Sequence, residues 1–257
     1  MLKFLGVFGL FFIFNSCVSY QTKNIRDLTH SFDKNTIYWP TGKNFKHQKD
    51  YYGQTPKGYF YSSYSLSAAE HGGTHIDAPR HFNLEGQTLD QIPLTRLVGS
   101  GVVINISSAC DKNKDYLITM QDFLDWEREN KQYLYDKIIL LNTGFARYWP
   151  NKLLYMGTDK TGPEAIKNLH FPGLDPKAAL WLAEKRNIKS IGIDTPSIDY
   201  GQSSNFESHR VLFKHNIPAF ENITNLTDLP SFGFEVVALP MKIKDGSGGP
   251  LRIIAIF

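Results

Sequence analysis

Apolar residues fall along this chain in two rhythms. Residues 101–106, 137–141 and 190–194 are short continuous apolar runs bounded by turn residues, the pattern of strands buried on both faces. Thr119, with Asp122 three residues later, opens a helical stripe of Met120, Phe123 and Leu124. Asp175-Pro176 opens a second helix whose inner face is Ala179, Leu180, Leu182 and Ala183 and which ends at Asn187. Val211, Leu212 and Phe213 read as a helical turn packed on the sheet. Residues 35–40 predict a strand closed by Pro40, and residues 41–58, polar and aromatic with three glycines, predict a loop. Residues 59–67 alternate Tyr59, Tyr61 and Tyr64 with Ser62, Ser63 and Ser65, a strand delivering the chain to His71. Residues 234–239 and 251–257 predict closing strands, joined through the turn-forming stretch 244–249. There is no repeat or low-complexity segment, and the alternation of strands with a few helices predicts one α/β domain with a mixed sheet or barrel.

The pattern breaks at Glu70-His71-Gly72-Gly73-Thr74-His75-Ile76-Asp77-Ala78-Pro79-Arg80-His81-Phe82. The glycine pair and Pro79 exclude a helix. In extended backbone His75, Asp77 and His81 share one face and Ile76 and Ala78 the other. His75 and Asp77 then stand about 6.6 Å apart along the strand, close enough to converge on one cation. A straight run from His71 to His81 spans roughly 33 Å, so the chain must bend, and Gly72-Gly73 and Pro79 are placed for bends. A sheet edge with scattered surface histidines explains one such residue better than a cluster. The arrangement points to a metal site with a neighbouring proton-transfer group.

Composition changes this picture little. At 257 residues with 42% hydrophobic and 21% charged positions, the chain can build a sizeable core without staples. A net charge of +3, with no basic stripe, argues against nucleic acid as a partner. The N-terminus changes more. Lys3, an uncharged apolar run from Phe4 to Phe14, and Asn15-Ser16-Cys17 form the basic and hydrophobic regions of an export signal, too short to span a membrane. The expected organisation is an export signal at 1–17, a tether at 18–26 and one folded domain at 27–257. Cys17 is similar to the lipidated cysteine of a bacterial lipoprotein, so the protein is expected to be periplasmic or secreted, with a lipid on Cys17 as its only route to a membrane; plain cleavage is the alternative. Cys110 then has no intrachain partner, and no motif marks it as a nucleophile.

A second set of ligand types lies further on: His209 and, twelve residues later, Glu221. Alone the pair reads as ordinary surface or core. Beside the first cluster it suits a divalent transition metal. The stretch from His71 to Phe82 resembles the signature of the metal-dependent cyclase-type hydrolases, the family of bacterial kynurenine formamidases and isatin hydrolases. Asn142-Thr143-Gly144, Phe171-Pro172-Gly173-Leu174, the run from Gly192 to Asp199, His209 and Glu221-Asn222 extend the resemblance over most of residues 27–257. It implies a compact β/β/α barrel-like domain that forms dimers or higher oligomers. It also implies one or two zinc or manganese ions. His71, His75 and Asp77 match the first metal ligands, His81 the catalytic histidine, and His209 and Glu221 the later pair that completes a two-metal site with Asp77 as bridge.

The activity so implied is hydrolysis of an amide C–N bond by metal-activated water, with His81 passing a proton to the leaving nitrogen. The substrate is a small aromatic amide, as in N-formylkynurenine to kynurenine and formate, or a cyclic amide or lactone, as in isatin opening. Glu221 leans toward the formamidase pattern; export leans away from it. A non-catalytic metal-binding lipoprotein is the reading from another class, and His81 argues against it. Tyr59, Tyr61, Tyr64 and Phe82 are candidates for stacking on an aryl ring.

Overall fold

The computed structural model describes residues 24–257. The export signal and Cys17 lie outside the described residues. The sheet begins with β1 (Ile25–Asp27), which starts two residues before the expected domain boundary at residue 27. Among the described residues, strands β2 (Lys46–Gln54) and β3 (Phe60–Ser67) pair only with each other, and β4 (His75–Asp77) follows. Helix α1 (Leu94–Leu97) leads into β5 (Val98–Asn105), then α2 (Ser107–Lys112), β6 (Leu117–Ile118) and α3 (Met120–Asn130). Next come β7 (Ile138–Asn142), α4 (Lys152–Met156), β8 (Gly173–Leu174), α5 (Pro176–Trp181) and β9 (Ser190–Ile193). Helix α6 (Glu207–Lys214), β10 (Ala219–Glu221), β11 (Phe234–Pro240) and β12 (Gly248–Ile256) complete the chain.

The large sheet runs β1-β12-β11-β5-β7-β9-β10-β4, and β4 also pairs with β12, so seven strands close into a barrel with β1 outside it. Strands β5, β7, β9 and β10 are parallel, and parallel neighbours need crossover connections. Helices α3, α5 and α6 lie in those crossovers, which is why helical rhythms separate the apolar runs. Alternation sorts the side chains. Ile76, Val103, Leu140, Phe220 and Ile253 pack together inside the barrel, while Ile104, Leu141 and Ile193 face outward onto Phe123, Leu182 and Phe213 of the helical layer. Each such burial contributes about 1.5–3 kcal/mol. The mixed-sheet, barrel-like α/β domain is therefore present.

Local signals held at the helix starts. Thr119 and Asp122 form a reciprocal capping box, and Asp175 accepts from the amides of Lys177 and Ala178. Asn187 ends the second helix in left-handed backbone. Two faces were shifted: Met120 and Leu180 are exposed, and Trp126 and Ala178 take the inward positions. Residues 35–40 are not a strand; only Tyr38 makes an isolated bridge, to Gly72. Residues 41–58 are not simply a loop, because β2 pairs with β3 across a bulge at Lys49/Tyr51. The polar-aromatic composition that suggested a loop is that of a ribbon exposed on both faces.

Candidate metal centre and active site

Strand β4 is held between β10 and β12, with Glu221 opposite His75, and Ala219 and Gly248 opposite Asp77. Ile76 and Phe220 turn into the barrel. Alternation therefore puts His75, Asp77 and Glu221 together on the outer wall. Helix α6 lays His209 across them. Its first turn is fastened by Asp199, which accepts from the amides of Ser208 and His209 at 3.0 and 3.1 Å. The expected bends are present. Gly73 sits at φ +59°, and a Cβ on Gly72 would stand 2.0 Å from the Tyr38 ring. A 3₁₀ turn at Pro79–His81 swings His81 back until its ring stacks on His71 with centroids 3.8 Å apart. His81 thus reaches the site by a turn, not as the continuation of an alternating strand.

Hydrogen-bond accounting fixes one protonated nitrogen on each of three imidazoles, the other being bare in the neutral ring. His75 Nδ1 lies 2.9 Å from the Gly73 carbonyl, an acceptor only, so Nδ1 carries the hydrogen and Nε2 is bare. His209 Nδ1 donates to Asp199 at 2.5 Å, which leaves its Nε2 bare. Ser247 Oγ donates to Glu70 at 2.6 Å and must therefore accept from His71 Nε2 at 2.9 Å, which leaves His71 Nδ1 bare. All three bare nitrogens point at carboxylate oxygens. His71 Nδ1 is 2.6 Å and His75 Nε2 is 3.1 Å from Asp77 Oδ1; His209 Nε2 is 3.1 Å from both Asp77 Oδ2 and Glu221 Oε1. His75 Nε2 is buried without a hydrogen-bond partner. Nitrogens facing carboxylate oxygens at these distances share positive charge with them, carried either by protons on the imidazoles or by a cation bound in their place. The nitrogen and oxygen donors suit a divalent transition metal, so the residues fit the metal the motif implies.

The electrostatics agree. His75, Asp77, Asp199, His209 and Glu221 are each at most 4% exposed. Burial pushes the Asp77 carboxyl up, but the imidazoles of His71, His81 and His209 outweigh it and hold it well below its usual range. Burial and then the Asp77 charge push Glu221 up. Burial lowers His209, but Asp199, Asp77 and Glu221 more than reverse it and raise it well above its ordinary value. His75 is raised in the same way, against burial, chiefly by Asp77 and then Glu221. Carboxylates this buried pull positive charge toward themselves. His81 behaves differently: burial pushes it down to about 4, leaving a neutral base at pH 7.

Two ligand groups can be drawn, His71–Asp77–His81 and His75–Asp77–Glu221, each with donor atoms within 4.8 Å of one another. The two groups share Asp77 and together hold five of the expected residues, and His209, 3.1 Å from Asp77 and from Glu221, brings the sixth to the same place. The cavity above them has a volume of about 290 Å³, with Ile37, Trp39, Phe82 and Phe206 among its walls. Tyr38 also lines it, 3% exposed, its hydroxyl without a partner. Tyr59, Tyr61 and Tyr64 lie elsewhere, on the exposed ribbon, so only Phe82 of the stacking candidates reaches the cavity within this chain. Sequence reading missed the residues that orient the ligands: Glu70, Asp199, Ser247, and Asn222, whose amide donates to the Gly73 carbonyl at 2.8 Å. Glu70 and Asn222 adjoin a ligand in the chain, Asp199 and Asn222 lie in stretches that carry the family resemblance, and Ser247 had no signal in the sequence. Cys110 is fully buried and burial pushes its thiol up to about 12, so it is no nucleophile.

A closed barrel with a buried carboxylate–imidazole cluster at the floor of an aromatic cleft is the arrangement of a metal-dependent hydrolase. The chain belongs to the cyclase family: the family model described as "Putative cyclase" matches residues 26–200. It is 28% identical to an isatin hydrolase of Roseibium aggregatum over 90% of this chain and 86% of that protein. It is also 28% identical to a kynurenine formamidase of Bacillus cereus, over 91% of this chain and 98% of that one. Among solved structures, isatin hydrolase A from Labrenzia aggregata superposes with a TM-score of 0.81 at 29% identity, over 91% of this chain and 93% of that one.

Proposed function

We propose that this protein hydrolyses the C–N bond of a small aryl amide, in the manner of an arylformamidase converting N-formylkynurenine to kynurenine and formate. The observation that carries the reading is the buried cluster in which imidazole nitrogens of His71, His75 and His209 converge on Asp77 and Glu221. His71, His75, Asp77, His209 and Glu221 hold one or two zinc or manganese ions. A divalent cation there supplies water of lowered pKa and polarises a carbonyl. His81, neutral at pH 7, takes the proton released as water adds to the carbonyl carbon. It returns that proton to the leaving nitrogen as the C–N bond breaks, giving an amine and a carboxylic acid. Phe82 and Trp39 exclude water and offer a face to the aryl ring.

A second reading, opening of a cyclic amide, draws support from the isatin hydrolase relatives in sequence and in fold. The two are separated by assaying the metal-loaded protein on N-formylkynurenine and on isatin. His81→Ala should abolish turnover with metal content unchanged; loss of metal along with turnover makes His81 a ligand instead. Metal bound without turnover on either substrate or on a panel of amides and lactones refutes the hydrolytic reading. The reading includes a homo-oligomer, dimer or tetramer, and export to the periplasm or medium, supported by the residues from Lys3 to Cys17.

A further inference from the structure

Three rings reach the cavity above the ligand cluster from three parts of the chain. Trp39 comes from the stretch before β2, Phe82 ends the 3₁₀ turn at Pro79–His81, and Phe206 caps the start of α6. Phe206 meets both of the others, with its ring centroid 5.0 Å from that of Phe82 and 6.1 Å from that of Trp39. It also stands 6.1 Å from the ring of His209. Phe82 is wedged among His81, His209 and Phe213 and belongs to the floor. Phe206 is half-buried and is held from its own loop, as part of the wall.

Its backbone is unusual. Phe206 sits at φ +49° and ψ +47°, the left-handed region, where a bulky side chain is disfavoured and glycine is the ordinary occupant. Local hydrogen bonds hold it there. Ser203 Oγ accepts from the Phe206 amide at 3.2 Å and donates to Asp199 Oδ1 at 3.3 Å, and the Phe206 carbonyl accepts from the Arg210 amide at 3.0 Å. Asp199 Oδ2 in turn accepts from Nδ1 of His209. One carboxylate therefore sets both the imidazole of a ligand and the ring of the wall. Backbone strain persists where the surrounding structure over-determines it, and it clusters at ligand sites. The cavity, at about 290 Å³, lies at the small end of the roughly 300–1,000 Å³ of ligand pockets, so one phenyl group in its wall decides much of what enters.

We propose that Phe206 is a specificity-determining residue whose ring sets the size limit of the substrate, turning away aryl groups extended by a second six-membered ring. The proposal deepens the preceding reading by naming the size class of its substrate, and it rests on that reading's placing of an aryl ring in this cavity.

The test compares the metal-loaded native protein with Phe206→Gly, Phe206→Ala and Phe206→Trp. Calorimetry measures binding of two metal-chelating probes, benzohydroxamate and biphenyl-4-carbohydroxamate. Product release measures turnover of formanilide and its 4-phenyl derivative. The native protein is expected to bind the smaller hydroxamate at least about 10-fold more tightly. The glycine and alanine variants should lose that preference with metal content at the native level, and the tryptophan variant should keep or increase it. The kcat/KM ratios for the two formamides should follow the same order. Urea unfolding should give the glycine variant a higher midpoint than the alanine variant, because both lack the ring and only alanine bears the cost of left-handed backbone. A native protein indifferent to the second ring overturns the proposal. So does a ratio that the glycine and alanine variants leave unmoved or move only along with loss of metal, and a glycine midpoint no higher than alanine's overturns its basis in strain. Absence of turnover on both formamides refutes the hydrolytic reading alone, because the hydroxamate ratio still decides the size limit.

Discussion

The outer barrel wall at β4 and β10 and the arm formed by β2 and β3 are both strand surfaces rich in polar and aromatic groups. On the wall, His75, Asp77 and Glu221 are 4% exposed or less, and each imidazole is held by a second hydrogen bond. On the arm, Phe60 and Leu66 are 54% and 62% exposed, and among the described residues the strands pair with each other alone. Burial separates them. A layer over a strand converts its side chains into a fixed, low-dielectric arrangement in which charge is costly unless compensated. A strand without a layer leaves its aromatics open to solvent. The wall gathers buried metal-ligand groups, and the ribbon exposes its side chains on both faces.

The contrast breaks most sharply at Asp77. Asp77→Ala removes the carboxylate common to both ligand groups, so metal content should collapse and turnover should fall by at least about 10³-fold; elemental analysis and single-substrate kinetics check both. Core and arm aromatics should differ next. Phe220→Ala empties part of the barrel interior and should destabilise by roughly 3–5 kcal/mol. Phe60→Ala should change the stability of the monomer by no more than about 0.5 kcal/mol, measured by urea unfolding at low concentration. Asp199→Asn removes the carboxylate that orients His209 and should weaken metal binding about 10–100-fold, with the fold intact by circular dichroism.

The smallest effect concerns pH. His30 stacks on Trp149 with centroids 4.2 Å apart, and burial pushes its pKa down to about 4. Its unfolded value is about 6.5, so between these limits the unfolded chain binds the extra proton. The contribution is fully present above about pH 6.5 and is lost as pH falls toward about 4. His30→Phe keeps the stack and removes the titration, so its unfolding midpoint should fall less steeply than the native protein's over that window.

Much of this was legible in the chain. The buried strands β5, β7 and β9 appear as unbroken apolar runs, and the helix starts at Thr119 and Asp175 carry their own caps. The glycine pair and Pro79 announced the bends that bring His71 and His81 together. Strand β10 was harder, because three residues offer no alternation to read; its register against β4 is what places Glu221 beside His75. Strand β3 was legible from its aromatic–hydroxyl alternation, but its partner β2 was misread as loop, because a strand exposed on both faces lacks the apolar contrast that marks one.

Sequence by itself determined the local chemistry of the site: which side chains alternate, where the backbone turns, and that ligand types cluster within one short segment. Those properties follow from backbone geometry over a few residues. Only the tertiary structure decided that His209 meets Asp77 across 132 residues of chain and that Ser247 and Glu70 orient His71. It also decided that three tyrosines of the ribbon stand away from the cavity. Contacts of that kind depend on strand register and on which surfaces another layer covers, and neither is written in any local spacing.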